Sequence, residues 1–385
     1  MTFRLLPPFA VLATLLAALP AAAFDTLAQA AYVVDVNTGT VLLNKDGDTA
    51  MPPASMSKLM TIDLLFQALA DGRVTLDTTF PVSTKAKSMG GSTMFLNERD
   101  RPTVDQLIQG IIVLSGNDAC VTVAEGLAGS EDAFAEQMNA QAKKLGLVNS
   151  HFANASGWPN PGQLMSMHDL ATLAMHIMKT YPQYWHYFSI ENFAYDGRAP
   201  ANQENRDPLL GKYPGADGMK TGHTEASGYG LVGTAKQGDR RVLVVMNGLP
   251  TMASRGTEGE KLLNWAFHQF AEKTVAKKDA PVAEAPVWLG QKRTVALVPA
   301  ADATILMPVT AGATVDAKVV YSSPVKAPVK AGQQLADLVI SQPDMADRHI
   351  PLVAATDVAP AGFLGRVKTA VAVLWRDFGG AAATE

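Results

Sequence analysis

Cysteine is almost absent from this chain, since Cys120 is its one cysteine among 385 residues. A single thiol cannot form an internal disulfide, so a small disulfide-stapled fold is excluded. The formal net charge is only −4 and no long run of Lys or Arg occurs, so nothing indicates a nucleic-acid partner. We expect Cys120 to be a small apolar residue buried in a helix.

Two common hydrolase signatures are missing as well. No His-Glu-x-x-His string occurs, and His168 and His176 do not have the spacing of a His-x-x-x-His pair, so a zinc peptidase has no support. No Gly-x-Ser-x-Gly string occurs either, which removes the usual mark of α/β-hydrolases. The sequence therefore predicts an enzyme without a metal or another cofactor.

The apolar run at the start of the chain is too short for a membrane span. Arg4 precedes the apolar stretch Val11 to Leu19, and Ala21-Ala22-Ala23 fits a cleavage site before Phe24. This pattern predicts a signal peptide over residues 1–23 and an exported protein. The alternative is a transmembrane anchor, but prolines on both sides leave the run short of about 20 residues.

Residues 24–272 show the pattern of an α+β domain. Alternation over Ala31 to Asn44 predicts a β-hairpin. Helical periodicity follows in Val104 to Ile112, Asn117 to Ala128, Asp132 to Leu145 and Ser166 to Lys179. Strands return at Tyr229 to Lys236 and Arg240 to Gly248, before a last helix at about Glu258 to Phe270. Strands from both ends around a helical insert predict an active site where the halves meet.

The remaining third of the chain is predicted to have three parts. Residues 273–286 are rich in Lys, Ala and Pro and are interpreted as a linker, and residues 287–359 as a small β-rich domain. Residues 360–385 include an amphipathic helix, whose bulky apolar side chains fall within an arc of about 120°. We expect this tail to attach the protein to the membrane surface, on the periplasmic face of the cytoplasmic membrane. The alternative is packing on the second domain.

One Ser-x-x-Lys string has the setting of a catalytic pair. Ser55-Met56-Ser57-Lys58 follows two prolines and opens an apolar helical run. Residues three apart on a helix share a face, so the Lys58 amine can reach the Ser55 hydroxyl. Serine is a weak nucleophile without such a base, and burial with a second cation, for which Lys220 is the candidate, lowers a lysine pKa. The alternative is an ordinary surface lysine.

Two further strings supply polar groups for a peptide substrate. Ser115-Gly116-Asn117 lies before a predicted helix, where it can cap the helix, relay a proton or hold a carbonyl. Lys220-Thr221-Gly222 lies before a strand pattern, so a neighbouring strand edge can pair with an extended peptide. Gly222 allows a close backbone approach, and Lys220 and Thr221 can bind a carboxylate.

Together these strings resemble those of serine penicillin-binding proteins and β-lactamases. The longer strings at 53–61, 115–120 and 218–224 are similar to those of low-molecular-mass D-alanyl-D-alanine carboxypeptidases. The resemblance implies a β-lactamase/transpeptidase-like catalytic domain, a peptidoglycan stem peptide as substrate and β-lactams as inhibitors. It also covers the β-rich domain and the amphipathic tail.

The resemblance further implies a role for each site residue. Ser55 attacks the D-alanyl-D-alanine bond while Lys58 takes its proton, Ser115 and Lys220 relay a proton, and Asn117 holds the peptide. The oxyanion hole is formed by the backbone N–H groups of Ser55 and His223.

Three further residues are candidates with open alternatives. Thr221 and Arg255 are candidates for binding the terminal carboxylate, although Arg255 can also be a surface charge at a helix start. Asp169, in the capping pattern Ser166 to Asp169, is expected to be structural; in the resembling family an acidic residue in this region lies near the site, so a part in deacylation is the alternative.

Three other functions stay open at this point. A β-lactamase would need a deacylating glutamate, and Glu260 to Asn264 has the right letters but lies after Lys220, inside the predicted last helix. An endopeptidase that cuts cross-links would use the same residues. A non-catalytic cell-wall binding protein on this scaffold is the third alternative, although every motif is intact.

Overall fold

A computed structural model describes residues 24–196, 198, 202–309, 316–342 and 345–363. The predicted signal peptide, and the amphipathic tail from residue 364 onward, lie outside the described residues. Among the described residues, no helix has both the length and the apolar character that crossing a bilayer requires.

The first unit is a five-stranded antiparallel sheet with helices on both faces. Its strands are β1 (Ala30–Asp35), β2 (Val41–Lys45), β3 (Ala216–Thr224), β4 (Gly228–Gln237) and β5 (Arg240–Leu249), in the spatial order β2-β1-β5-β4-β3. Its helices are α1 (Lys58–Ala70), α2 (Thr84–Lys87), α3 (Val104–Ile112), α4 (Asn117–Ala128), α5 (Glu131–Leu145), α6 (Met167–Thr180) and α7 (Met252–Gln269). Short 3-10 helices cover Ala54–Ser57 and Pro182–Ser189. The predicted α+β class with a helical insert is confirmed.

Strand alternation divides the apolar residues of this sheet between two cores. Tyr32 and Val34 of β1 belong to the larger core, which the helices between β2 and β3 share. Ala31 and Val33 belong to the opposite core, which α7 covers. Neighbouring side chains of a strand point to opposite faces, so a sheet covered on both faces has apolar residues at consecutive positions.

Helix α1 runs through the middle of the larger core. Ten of its thirteen residues are buried, including the polar Lys58, Thr61 and Asp63. A helix that is apolar nearly all round is typical of the centre of a domain. The burial of Lys58 therefore follows from the place of its helix in the fold.

A second unit, all β, follows directly on α7. Its strands are β6 (Phe270–Ala276), β7 (Ala283–Trp288), β8 (Thr294–Pro299), β9 (Ala303–Pro308), β10 (Asp316–Val320), β11 (Val325–Lys326), β12 (Gln334–Gln342) and β13 (Met345–Ala354). Strand β6 pairs with β9, and the other six strands form one sheet in the order β10-β12-β13-β8-β7-β11. A separate apolar core lies between these strands.

The predicted linker over residues 273–286 is wrong, because β6 and the start of β7 occupy it. Helix α7 also begins earlier than predicted, at Met252, and ends at Gln269. Strand β6 is exposed along most of its length, so its sequence lacks the apolar alternation that marks a strand.

Candidate active site

Ser55 lies in the tight turn that leads into α1. The turn is a 3-10 helix over Ala54–Ser57, and Lys58 is the first residue of α1, so Ser55 lies just before α1 and not within it. Ala54 adopts a left-handed φ of 48°, which is rare for a residue other than glycine. The Nζ of Lys58 lies 2.8 Å from the Oγ of Ser55, as the three-residue spacing predicts.

Lys58 is buried and held by three oxygen acceptors. Besides Ser55, its Nζ donates to Oδ1 of Asn117 at 2.7 Å and to the backbone carbonyl of Ser156 at 2.5 Å. Burial lowers the pKa of Lys58 to about 8, because removal from water disfavours the charged amine. An amine with this pKa can accept a proton near neutral pH.

Two cations lie close enough to act on Lys58, Arg206 and the predicted Lys220, whose own pKa is lowered by the charge of Lys58. The charge of Arg206 adds to the lowering of the Lys58 pKa, while the carboxylate of Asp118 opposes it. Cys120 itself is buried in α4, as predicted. Burial raises the pKa of its thiol to about 12, so it stays protonated and unreactive.

The loop before α4 carries Ser115, and the first residue of α4 is Asn117, so both lie in the same site. Ser115 has a left-handed φ of 58°, and its Oγ accepts a hydrogen bond from Nζ of Lys220 at 3.1 Å. The amide nitrogen of Asn117 donates to the carbonyl of Gly90 at 2.8 Å. Since Oδ1 of Asn117 is bound to Lys58, both ends of this side chain are fixed.

Strand β3 is an edge strand and lies against the turn of Ser55. A Cβ on Gly222 would lie 2.8 Å from the carbonyl oxygen of Pro53, too close for any residue but glycine. The close approach expected of Gly222 is therefore present. Lys220 is buried on this strand, and burial followed by the charge of Lys58 lowers its pKa well below the ordinary value.

A cavity of about 260 Å³, called here the inner cavity, joins these groups. Its lining residues are Ser55, Ser92, Ser115, Arg206, Thr221, Gly222, His223, Tyr229, Met252 and Arg255. The imidazole of His223 stacks on the ring of Tyr229 with centroids 3.8 Å apart. Six of the ten predicted site residues thus share one cavity. Lys58 and Lys220 are hydrogen-bonded to its lining residues Ser55 and Ser115, and Asn117 is hydrogen-bonded to Lys58.

Two arginines supply the permanent positive charge of this cavity. Arg206 donates to Oγ of Ser92 at 2.6 Å and to the carbonyl of Leu114 at 3.0 Å. Arg255 donates to the carbonyl of Arg206 at 3.1 Å. Burial lowers the pKa values of both arginines as well as those of the two buried lysines, but guanidinium groups stay charged in proteins. The arginines are therefore the counter-ions suited to a substrate carboxylate.

Asp169 lies outside the inner cavity. The Oγ of Ser166 accepts from the backbone N–H of Asp169, which is the predicted cap of α6. The Asp169 carboxylate accepts from the N–H of Asn149 at 2.8 Å and the hydroxyl of Ser150 at 2.7 Å. These contacts support the structural role and leave the alternative of deacylation without support. Across the described part of the chain, no group of three or more His, Cys, Asp or Glu residues could hold a metal ion.

Three contributors to the site were missed by the sequence analysis. The Ser156 acceptor is a backbone atom, which no side-chain pattern reveals. Arg206 lies in an irregular segment without periodicity. Asp118 lies within the string 115–120 but was given no role, and its buried carboxylate accepts the N–H groups of Met94 and Leu96 at 2.9 and 3.0 Å. The buried acid beside Asn117 was the one signal that could have been used.

Comparison with known proteins places this geometry in a family. Residues 17–250 match the family described as D-alanyl-D-alanine carboxypeptidase, and residues 270–360 match the C-terminal domain of penicillin-binding protein 5. The D-alanyl-D-alanine carboxypeptidase DacF of Bacillus subtilis is 33% identical over 350 residues, which cover 89% of this chain and 88% of that protein.

Solved structures agree with this comparison. Penicillin-binding protein 5 from Haemophilus influenzae has a TM-score of 0.79 and 31% identity, covering 87% of this chain and 98% of that one. Penicillin-binding protein D2 from Listeria monocytogenes, solved in its ampicillin-bound form, has a TM-score of 0.58 and 31% identity, covering 63% of this chain and 98% of that one. With the sequence match over more than half its length and the three motifs around one cavity, this chain belongs to the D-alanyl-D-alanine carboxypeptidase family.

Proposed function

We propose that this protein removes the terminal D-alanine from peptidoglycan stem pentapeptides through an ester on Ser55. The observation that carries the proposal is the contact of 2.8 Å between the Ser55 hydroxyl and the Lys58 amine. The pKa of that amine, lowered to about 8, suits a general base. The edge of β3, beside the same serine, can pair with an extended peptide.

Acylation begins with Oγ of Ser55 attacking the carbonyl carbon of the penultimate D-alanine. A C–O ester bond forms, the C–N bond to the terminal D-alanine breaks, and the hydroxyl proton passes to Lys58. Ser115, bonded to Lys220 at 3.1 Å, is placed to relay a proton to the leaving amine. Water then hydrolyses the ester and restores the Ser55 hydroxyl, so the net reaction consumes one water for each bond cut.

Charge development on the carbonyl oxygen requires hydrogen-bond donors near Ser55. We assign this role to the backbone N–H groups of Ser55 and His223, in accord with the family resemblance. The contact of Gly222 with the turn of Ser55 supports the assignment, since it brings the two segments together. In other acyl-transfer enzymes, one such donor lowers the activation barrier by about 3 kcal/mol.

The terminal carboxylate is assigned to Arg255 and Thr221, with Arg206 as a second positive charge. All three line the inner cavity with Ser55. Arg255 is buried and held by the carbonyl of Arg206, so its guanidinium is fixed in advance. Charge-assisted hydrogen bonds to a carboxylate are about twice as strong as neutral ones.

Replacement of the nucleophile tests the proposal. Ser55→Ala should abolish D-alanine release from a synthetic stem pentapeptide, measured by the free amino acid. Ser323→Ala is the matched control, because Ser323-Pro324-Val325-Lys326 is another Ser-x-x-Lys string of this chain and Ser323 is exposed in the β unit. Release by Ser55→Ala at the wild-type rate would refute an ester on Ser55. Retained peptide affinity without turnover in the wild-type protein would indicate a binding protein.

Penicillins are proposed to acylate the same serine, and the resulting ester is proposed to hydrolyse slowly. Ampicillin- and cefotaxime-bound structures exist for the similar Listeria protein. Glu260 lies on α7, away from the position that a β-lactamase glutamate takes in the motif order. A mass spectrum of the intact protein should show one stable adduct, lost in Ser55→Ala. Rapid penicillin turnover without an adduct would favour a β-lactamase.

Location is proposed from the sequence pattern of the two ends. The signal-like segment supports export, and the amphipathic tail supports attachment to the periplasmic face of the cytoplasmic membrane. Deletion of residues 362–385 should move the protein from the membrane to the soluble fraction with pentapeptide activity intact. Unchanged membrane association would refute attachment through the tail.

A further inference from the structure

The last described residue, Phe363, lies at one end of the β unit. The segment before it runs beside the turn between β7 and β8, where the N–H of Ala361 donates to the carbonyl of Leu289 at 2.7 Å. The carbonyl of Ala359 accepts the N–H of Gln291 at 2.8 Å. The rest of the predicted tail follows Phe363 directly in the sequence, so it starts from this end of the β unit.

Large apolar side chains are exposed at the same end. Trp288, the last residue of β7, is 43% exposed, and Phe363 is 80% exposed. Val287 belongs to the core of the β unit, so strand alternation leaves Trp288 on the opposite face. Single exposed apolar residues are ordinary, but these two rings lie on segments that hydrogen bonds join. Tryptophan is enriched where a protein meets the headgroups of a bilayer.

Unpaired positive charge surrounds these rings. Lys326 of β11 pairs in register with Trp288, and both are exposed. Lys292 and Arg293 are exposed in the turn between β7 and β8, where the carbonyl of Arg293 accepts the N–H of Val287 at 2.8 Å. Within the described part of the chain, none of these three cations has an ion pair or a side-chain hydrogen bond.

Nearby acids do not cancel these charges. The whole chain has a net charge of −4. The segments that meet at this end nevertheless hold four cations and no acid; they are residues 286–293, 324–330 and 358–363. The fourth cation, Lys330, is paired with Asp357 at 3.6 Å. Glu284 is four residues from Trp288 along β7, about 13 Å, which exceeds the Debye length of about 8 Å at physiological salt.

We infer that this end of the β unit binds the surface of a bilayer containing anionic lipids, as a second contact beside the tail. It is called here the terminal patch and consists of Trp288, Leu289, Lys292, Arg293, Lys326 and Phe363. The inference rests on the proposed location, because the tail starts at the patch and holds it near the membrane.

The composition of the terminal patch fits a bilayer better than a soluble polyanion. Its cations lie against the lipid phosphates, and its exposed rings lie at the level of the headgroups. A soluble polyanion would need the cations alone. Two contacts, unlike the tail alone, hold the β unit in one orientation on the membrane.

Removal of the three unpaired cations from the full chain is the first test. Binding to vesicles of equal parts phosphatidylcholine and phosphatidylglycerol is measured by sedimentation. A cation near an anionic surface contributes about fivefold to the affinity. A variant that combines Lys292→Gln, Arg293→Gln and Lys326→Gln should therefore bind about a hundredfold more weakly. On vesicles of phosphatidylcholine alone, this variant and the wild type should bind equally.

Three exposed lysines of the first unit give the matched control. Lys143, Lys144 and Lys179 lie at the ends of α5 and α6. A variant that combines Lys143→Gln, Lys144→Gln and Lys179→Gln removes the same charge and should bind as the wild type does. Equal binding by the terminal-patch variant and the wild type would overturn the inference. Unchanged binding after deletion of residues 362–385 would instead contradict attachment through the tail.

A thiol label gives the second test, because Cys120 is buried. Trp288→Cys, labelled with an environment-sensitive fluorophore, should shift its emission to the blue when the anionic vesicles are added. Trp158→Cys is the matched control, since Trp158 is 44% exposed but lies in the first unit, and its label should not shift. No shift at position 288 would overturn the inference. A shift caused by higher protein concentration alone would also overturn it, by identifying a second copy of the chain as the occupant.

Discussion

The Nζ of Lys58 lies 2.5 Å from the backbone carbonyl of Ser156, a residue 98 positions further along the chain. This contact gives the base a third acceptor besides Ser55 and Asn117. It depends on the next residue, because Gly157 has a φ of +77° and has no room for a Cβ against the turn of Ser55. The orientation of the base is therefore set partly by a glycine that takes no part in the chemistry.

Gly157→Ala should disrupt this arrangement. An added Cβ would lie 2.0 Å from the carbonyl oxygen of Ala54, so backbone must move and the left-handed φ adds strain. We expect a loss of about 3 kcal/mol in the free energy of unfolding and acylation by penicillin slowed by tenfold or more, about the effect of misplacing a reacting group. Urea unfolding and adduct formation followed by mass measure the two effects.

Gly129→Ala is the control for this substitution. Gly129 also has a left-handed φ, of +80°, but no atom lies within 4 Å of its added Cβ. It should cost about 1 kcal/mol of stability and leave the acylation rate unchanged. Equal effects of the two substitutions on acylation would refute the positioning role of Gly157.

The pH dependence of acylation should report the titration of Lys58. Lys58 acts as a base only when its amine is neutral, and its pKa is lowered to about 8. The rate of penicillin acylation should therefore rise with pH through about 8 and level off above it. A rate independent of pH between 6 and 9 would contradict the role of Lys58 as the base. The measurement is the second-order acylation rate at a series of pH values.

Arg206→Gln should move that profile to higher pH. Removing a neighbouring positive charge makes the charged amine of Lys58 less unfavourable, so its pKa rises, by about half a unit or more for a partly buried pair. Arg206→Lys keeps the charge and should leave the midpoint near that of the wild type. A midpoint that does not move in Arg206→Gln would show that the charge of Arg206 does not lower the pKa of Lys58.

The three short motifs predicted the residues of the site well, because the spacing within each motif fixes how its own residues lie relative to one another. Three-residue spacing brought Lys58 to Ser55, and helices α3 and α4 have the predicted bounds. Tertiary contacts were harder to predict. The carbonyl of Ser156 is a backbone group and has no sequence signature. Arg206 lies in an irregular segment, where no periodicity indicates which way its side chain points. Strand β6 was taken for a linker because a mostly exposed strand shows no apolar alternation.

Asp169→Ala should show whether Asp169, at the start of α6, has a structural role or a role in deacylation. The Asp169 carboxylate accepts hydrogen bonds from Asn149 and Ser150, and the substitution leaves these donors without their acceptor. We expect a loss of about 2 kcal/mol in the free energy of unfolding. The lifetime of the penicillin adduct should be unchanged, because Asp169 does not line the inner cavity. A lengthened adduct lifetime with unchanged stability would instead establish a part in deacylation.

Asp207→Asn should stabilise the protein at neutral pH. Burial raises the pKa of Asp207 to about 6, with Arg255 and Lys220 acting in the opposite direction. Between pH 4 and 6 the folded carboxyl is protonated while the unfolded one is ionised. The folded state therefore binds more protons, and this group makes the free energy of unfolding fall as pH rises through that window.

The neutral amide of asparagine removes this dependence. Variant and wild type should have similar stability at pH 4, and the variant should be more stable by about 3 kcal/mol above pH 6, as a shift of two pKa units implies. Oδ1 of the amide can still accept the N–H of Leu209, which the carboxylate binds at 3.0 Å. Urea unfolding of both proteins from pH 4 to 7 measures the difference. A difference that stays constant over this range would mean that Asp207 remains ionised in the folded protein, held so by the positive charge of Arg255.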